Sequence, residues 1–113
     1  MKLKVFACII SMVLLCSCAT YYITPQMLRN HNGSFSSITT LKCVDKDGKD
    51  YVMDITAQTE IRITKKDDTH ETFYFVTGFL QDSIITGSKS YFLNIMVKPI
   101  KISDIKKIEL QSH

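Results

Sequence analysis

The sequence predicts an all-β domain, and three features carry that prediction. From residue 37 onward, apolar side chains recur mainly at every second position, which is the period of a strand with one buried face. Clusters of Asp, Gly, Ser and Lys separate these stretches, and such clusters form turns. In residues 100–110 the apolar spacing changes from two to three and back to two, which indicates a tight turn between two strands.

The first half of the domain is predicted to consist of strands joined by polar turns. Residues 37–44 form a strand, and residues 45–49 supply the turn after it. Residues 51–57 alternate between apolar and polar side chains. In residues 60–64, Ile61 and Ile63 alternate with a polar face of Glu60, Arg62 and Thr64. Residues 65–68, with two lysines and two aspartates, mark a solvated hairpin tip.

The second half contains the most apolar segment and the most diagnostic one. Residues 72–80 are predicted to form one strand buried on both faces, with Gly78 at a bulge or sharp bend. Residues 84–86 and residues 91–97 follow as strands. Residues 100–110 then give a strand, a single 3₁₀ turn and a last strand.

A strand, one tight turn and a strand is how small SH3-like and Sm-like barrels end. Asp47-Gly48, Gly78, residues 82–87 and residues 103–110 together resemble a group of small bacterial envelope lipoproteins. The resemblance covers about residues 36–111. It implies a small SH3-like or Sm-like barrel of about five to seven strands, with no exposed sheet edges. We expect its core to include Ile105 and Ile108.

The first residues of the chain predict its location. Lys2 and Lys4 precede an apolar run that ends in Leu15-Cys16-Ser17-Cys18, the pattern of a secretory signal. Cys18, with Ser17 before it, resembles the lipobox cysteine of bacterial lipoproteins, which is lipidated and becomes the first mature residue. We therefore expect a signal peptide at residues 1–17, a lipidated tether at 18–35 and the barrel at 36–113.

Three other interpretations of the N-terminus stay open. An uncleaved membrane helix needs about 20 mainly apolar residues, and this run reaches that length only by including polar side chains. Cleavage after Ala19 would instead release the domain into the periplasm. Cys16 is a poorer lipid site because the bulky Leu15 directly precedes it.

The tether is expected to contain one or two helical turns. Thr24 is suited to the cap and Pro25 to the first helical position, where its missing N–H costs nothing. Residues 32–34 end the helix. Residues 19–22 contain no acidic side chain. By resemblance to lipoprotein sorting rules, this implies the periplasmic face of the outer membrane.

The charge balance argues against one function class, and the cysteine content argues against a disulfide. Of the 14 Lys and Arg residues, two leave with the signal, so 12 basic residues face 11 acidic ones and the mature net charge is about +1. That balance does not fit a nucleic-acid-binding domain. Of the four cysteines, only Cys18 and Cys43 remain in the mature chain, and lipidation would occupy the thiol of Cys18. No intramolecular disulfide can form, and Leu41 and Val44 indicate that Cys43 is buried.

The remaining chemical motifs are weak. Alternating carboxylates at Asp45, Asp47 and Asp50 resemble half of a calcium loop, but Asp-Gly is also a common hairpin signal, so we favour a turn. His31, His70 and His113 lack a second ligand at metal spacing. Cys43 would need a histidine such as His70 beside it to act as a nucleophile. We expect no catalytic residue, no metal and no cofactor.

Two function classes follow from these expectations. The first is a non-enzymatic lipoprotein, held in the membrane through Cys18, whose domain binds a protein, a glycan or copies of itself. The alternative is an antagonistic lipoprotein: an inhibitor of a lytic enzyme, an immunity protein or a phage lysis partner.

Overall fold

A computed structural model describes residues 19–93 and 95–112 of the chain. Within those ranges one short helix, Pro25–Arg29, and ten strands occur. In chain order the strands are β1 (Ala19–Ile23), β2 (Gly33–Ser34), β3 (Thr40–Val44), β4 (Asp50–Asp54), β5 (Glu60–Lys65), β6 (His70–Tyr74), β7 (Phe79–Gln81), β8 (Ile84–Thr86), β9 (Ile100–Lys101) and β10 (Ile105–Ser112).

The strands form two antiparallel sheets, so the all-β class is confirmed. The larger sheet has the order β4-β3-β1-β10-β5-β6, and the smaller one has the order β2-β7-β8-β9. No strand pairing among the described residues joins one sheet to the other. Closure into an SH3-like or Sm-like barrel therefore stays a prediction.

The segment expected to be a tether differs most from expectation. Ala19–Ile23 is a strand that pairs with β10 over its whole length, from Ala19 opposite Ser112 to Ile23 opposite Ile108. On its other side, Tyr22 of β1 pairs with Val44 of β3. Because β1 lies inside the six-stranded sheet, these residues belong to the domain and are not a spacer.

The helical turn itself is confirmed, and it too belongs to the domain. It runs from Pro25 to Arg29 after Thr24, although the Thr24 side chain makes no capping hydrogen bond. Leu28 in the helix and Phe35 just beyond it are both 0% exposed. The packed domain therefore begins at residue 19, and the expected boundary at residue 36 is too late.

Helical turns make every crossing between the two sheets. The helix connects β1 to β2, and 3₁₀ turns at Phe35–Ser37, Phe75–Thr77 and Ile102–Asp104 make the other three crossings. Each 3₁₀ turn begins with one buried apolar side chain: Phe35, Phe75 or Ile102. The core therefore holds each crossing in place. The sequence predicted only the last of these turns.

The closing strand explains both intervals of three in its apolar pattern. The 3₁₀ turn accounts for the interval between Ile102 and Ile105. The next interval is a β-bulge, since Ile105 pairs with Lys65 and Lys107 with Thr64. The extra residue on β10 shifts the alternation by one position. As a result Ile105 and Ile108 are both buried, as predicted.

Two predicted strands are wrong. Residues 72–80 are not one strand, because the 3₁₀ turn at Phe75–Thr77 divides them between β6 and β7 in different sheets. Residues 91–93 and 95–97 form no strand either. Only Met96 among the described ones makes a bridge, to Ser88, and Val97 is buried.

Candidate functional site

The candidate site is the end of the six-stranded sheet at which β1 begins. Cys18, the predicted lipid site, lies outside the described residues, but the next residue, Ala19, is the first of β1. One row of paired residues crosses the sheet at this end: Thr20 on β1, Gln111 on β10, Glu60 on β5 and Tyr74 on β6. We call this row and the turns beyond it the N-terminal end of the sheet.

The turn with the calcium-like sequence lies at this end, between β3 and β4. The Asp45 carboxylate accepts hydrogen bonds from the backbone N–H groups of Asp47 at 2.8 Å and of Lys49 at 3.0 Å. Gly48 has a φ of +80°, a left-handed conformation that glycine adopts without a side-chain clash. The Asp45 carboxylate thus has a structural role in the hairpin. No three His, Cys, Asp or Glu residues within 19–93 and 95–112 are grouped to hold a metal ion.

Two open clefts lie in this part of the sheet, one along β1 and the turn after β3 and the other along β3 and β4. The first has a volume of about 460 Å³ and is lined by Ala19, Thr20, Tyr21, Tyr22, Asp45, Lys46 and Asp47. The second has a volume of about 420 Å³ and is lined by Met27, Lys42, Cys43, Val44, Asp50, Tyr51 and Val52. Both are rimmed by tyrosine and charged side chains on a partly apolar floor. Such a lining suits a polar ligand with a flat apolar face.

Stacked tyrosines lie at the border of these clefts. The rings of Tyr21 and Tyr51 are 4.6 Å apart between centroids and nearly parallel. Burial raises the pKa of the Tyr21 hydroxyl above its ordinary value, and the Tyr51 hydroxyl beside it acts in the same direction. Tyr21 is therefore neutral at physiological pH and offers an O–H donor and an aromatic face rather than a charge.

Cys43 is buried, as predicted. Its side chain is among the core residues, and the thiol donates a hydrogen bond of 3.5 Å to the Tyr51 carbonyl. Burial raises the pKa of the thiol, so the nucleophilic thiolate is scarce at neutral pH. His70, the histidine considered as its base, is exposed on β6, four strand positions from β3 in the same sheet. At about 4.8 Å per position, that separation keeps the imidazole far from the thiol.

Of the other two histidines, the structure describes His31. His31 is half-buried in the turn after the helix, and its backbone N–H donates to the Leu28 carbonyl at 2.9 Å. His113 lies outside the described residues.

The polar face predicted on β5 contacts an acidic residue of β10 that sequence reasoning missed. Glu109 lies opposite Arg62 across the strand pair, with 3.6 Å between Glu109 Oε1 and Arg62 Nε. Lys107 Nζ is 3.5 Å from the same oxygen. The Glu109 side chain is only 13% exposed. Two cations balance one carboxylate here, an arrangement that favours pairing across the sheet over acid–base chemistry.

The most exposed apolar group in the described part of the chain is the loop after β8. Phe92 is 96% exposed, Leu93 62%, Met96 52%, Tyr91 48% and Ile95 44%. We call these five residues the apolar loop. The sequence contains a pattern that argues against the predicted strand here: apolar residues follow one another without the alternation of a half-buried strand.

Comparison of the chain with protein-family models, curated proteins and solved structures finds no match. No helix within residues 19–93 and 95–112 is long and apolar enough to cross a membrane.

Proposed function

We propose that this chain is a non-enzymatic lipoprotein of a bacterial envelope, anchored through lipid on Cys18. Its β domain then acts as a small binding or assembly module at the periplasmic face of the outer membrane. One structural observation carries the proposal: Ala19–Ile23 is paired inside the six-stranded sheet, so a signal cut before Cys18 keeps this strand, and with it the described sheet, in the mature chain.

The N-terminal sequence supports the same position for the anchor. Lys2 and Lys4, the apolar run after them and Ser17 before Cys18 form one signal of ordinary length. Several acyl chains on one cysteine, each contributing about 0.8 kcal/mol per buried methylene, anchor a protein stably. The domain then needs no membrane-spanning segment of its own.

A binding role is supported by the two open clefts, one along β1 and the other along β3 and β4. Each is a little over 400 Å³ in volume, is partly apolar and places tyrosine and charged side chains around its rim. These features suit recognition of a protein segment or a glycan. Cys43, the candidate nucleophile, is buried with a raised pKa, which favours binding over catalysis.

Mass spectrometry of the protein from the membrane fraction tests the anchor. We expect an N-terminal peptide that starts at Cys18 and carries a diacylglyceryl group and an amide-linked acyl chain. Cys18→Ala should abolish lipidation and processing, whereas the matched control Cys16→Ala should leave both unchanged. Unchanged size and membrane association in Cys18→Ala would show an uncleaved anchor instead.

A further inference from the structure

We propose that the apolar loop is a second membrane contact, which inserts into the phospholipid leaflet beside the lipid on Cys18. The inference rests on the proposed anchoring through Cys18 and adds to it the orientation of the domain on the bilayer.

The first step concerns the distance between the anchor and the sheet. Ala19 is already paired with Ser112, and consecutive Cα atoms are about 3.8 Å apart. A lipid on Cys18 therefore holds the first residue of β1 at the membrane surface with no spacer between them. The N-terminal end of the sheet is then the part of the domain nearest to the bilayer.

The second step places the apolar loop at that same end. The row from Thr20 through Gln111 and Glu60 to Tyr74 spans three strand spacings, or about 14 Å. The Tyr91 ring stacks on Tyr74 with 4.4 Å between centroids. The loop therefore lies within a few residues' width of the anchor, on the membrane side of the domain.

The third step is that the loop is held in position by its own contacts. The Tyr91 hydroxyl donates a hydrogen bond to the carbonyl of Ala57, in the turn before β5. At the base of the loop, the Lys89 N–H donates to the Ile95 carbonyl and the Tyr74 N–H to the Ser88 carbonyl. With its stem fixed in this way, the loop presents Phe92 and Leu93 outward at 96% and 62% exposure.

The chemistry of the loop fits a phospholipid surface. Aromatic and large aliphatic side chains such as those of Phe92 and Leu93 partition into the boundary between headgroups and acyl chains. Residues 87–99 contain no Asp or Glu, and Lys89 and Lys98 flank the apolar residues. Lys98 is exposed, while Lys89 lies 3.5 Å from Glu71. Lysines at these places complement anionic headgroups.

Tryptophan fluorescence tests the inference directly because the chain has no tryptophan of its own. The full chain carrying Phe92→Trp is isolated from bacterial membranes and reconstituted into vesicles of phosphatidylcholine and phosphatidylglycerol with brominated acyl chains. Leu93→Trp is a second reporter. The matched control is Lys66→Trp, a position in the turn beyond β5, about 20 Å from Glu60 along the strand.

We expect blue-shifted emission from the Phe92→Trp and Leu93→Trp variants, and quenching by the brominated lipid at least threefold stronger than for the Lys66→Trp control. An anchored protein whose Phe92→Trp emission matches that control would overturn the loop contact and leave the anchor intact. Emission shielded from both iodide and brominated lipid would show a protein or second copy on the loop, and would also overturn it.

The anchor is scored separately in the same samples. A mass without lipid at Cys18, together with loss of the protein from sedimented vesicles, would overturn both the anchor and the orientation. If residues 19–113, which carry neither the signal nor the lipid, still sediment with vesicles and Phe92→Trp is strongly quenched in them, the loop contact stands without the anchor.

Discussion

Phe35 lies outside the domain boundary that the sequence predicts, and truncating it gives a sharp test of the observed fold. Its side chain is 0% exposed and stacks on Phe75 with 5.2 Å between ring centroids. Its backbone N–H donates to the Gly78 carbonyl at 2.9 Å. Phe35→Ala therefore removes a ring that joins two of the 3₁₀ crossings.

The expected magnitude follows from complete burial. Truncating a buried phenylalanine to alanine costs about 3 to 5 kcal/mol, from a total domain stability of about 5 to 15 kcal/mol. For a domain of this size each kcal/mol lowers the melting temperature by about 4 to 8 °C, so we expect a fall of at least about 12 °C. Phe79→Ala, at 40% exposure, is the matched control and should cost much less.

Gly78 turns this test into a double-mutant cycle. A Cβ built on Gly78 would collide with the Phe35 ring, although the backbone φ of −67° is open to any residue. Gly78→Ala should therefore destabilise by about 1 to 3 kcal/mol through overpacking. In the Phe35→Ala background the ring is gone, so the cost of the same change should fall by at least about 0.5 kcal/mol.

Urea denaturation of residues 19–113, followed by circular dichroism, measures the free energies of unfolding of the wild type and the four variants. Two results would refute the packing argument. One is that Phe35→Ala is as stable as Phe79→Ala. The other is that the costs of Phe35→Ala and Gly78→Ala simply add in the double variant.

Three further predictions follow from the structure. A chain of residues 36–113 should fail to fold, whereas residues 19–113 fold, because the shorter one lacks β1 inside the sheet; circular dichroism decides this. Cys43 should react with maleimide only on unfolding, because it is buried with a raised pKa; equal rates with and without urea would contradict this. Hydrogen bonds from the Thr69 side chain and backbone lower the pKa of Asp67. The ionised Asp67 carboxylate therefore stabilises the fold above the usual aspartate pKa of about 3.9, and this contribution is lost as the pH falls. Thr69→Val should therefore lower the melting temperature at pH 7, and the difference should shrink as the pH falls below the usual aspartate pKa.

Part of this protein could be predicted residue by residue. The alternation of Ile61 and Ile63 with Glu60, Arg62 and Thr64 predicted β5 with the correct buried face. The lysines and aspartates after it predicted the hairpin to β6. These local patterns suffice because alternation shows which side chains are buried and a polar cluster shows where the chain turns. Both features involve only strands that are neighbours in the sequence.

The 3₁₀ crossing at Phe75–Thr77 was hidden because the sequence around it is apolar at nearly every position. Phe75 and Leu80 are both buried, so the sequence from residue 72 to residue 80 resembles a single core strand. At this crossing between the sheets, Gly78 packs against the ring of Phe35, a residue far earlier in the chain. A contact between distant residues leaves no local pattern to detect.

The sequence by itself determined that this is a strand-rich chain behind a signal-like N-terminus, with Cys43 in the core. Only the tertiary structure decided that Ala19–Ile23 is an internal strand, since its pairing depends on β10 at the other end of the chain. It also decided that the apolar loop faces outward. The physical reason is the same in both cases. An apolar side chain is unfavourable in water, but whether another part of the protein covers it depends on the assembled fold.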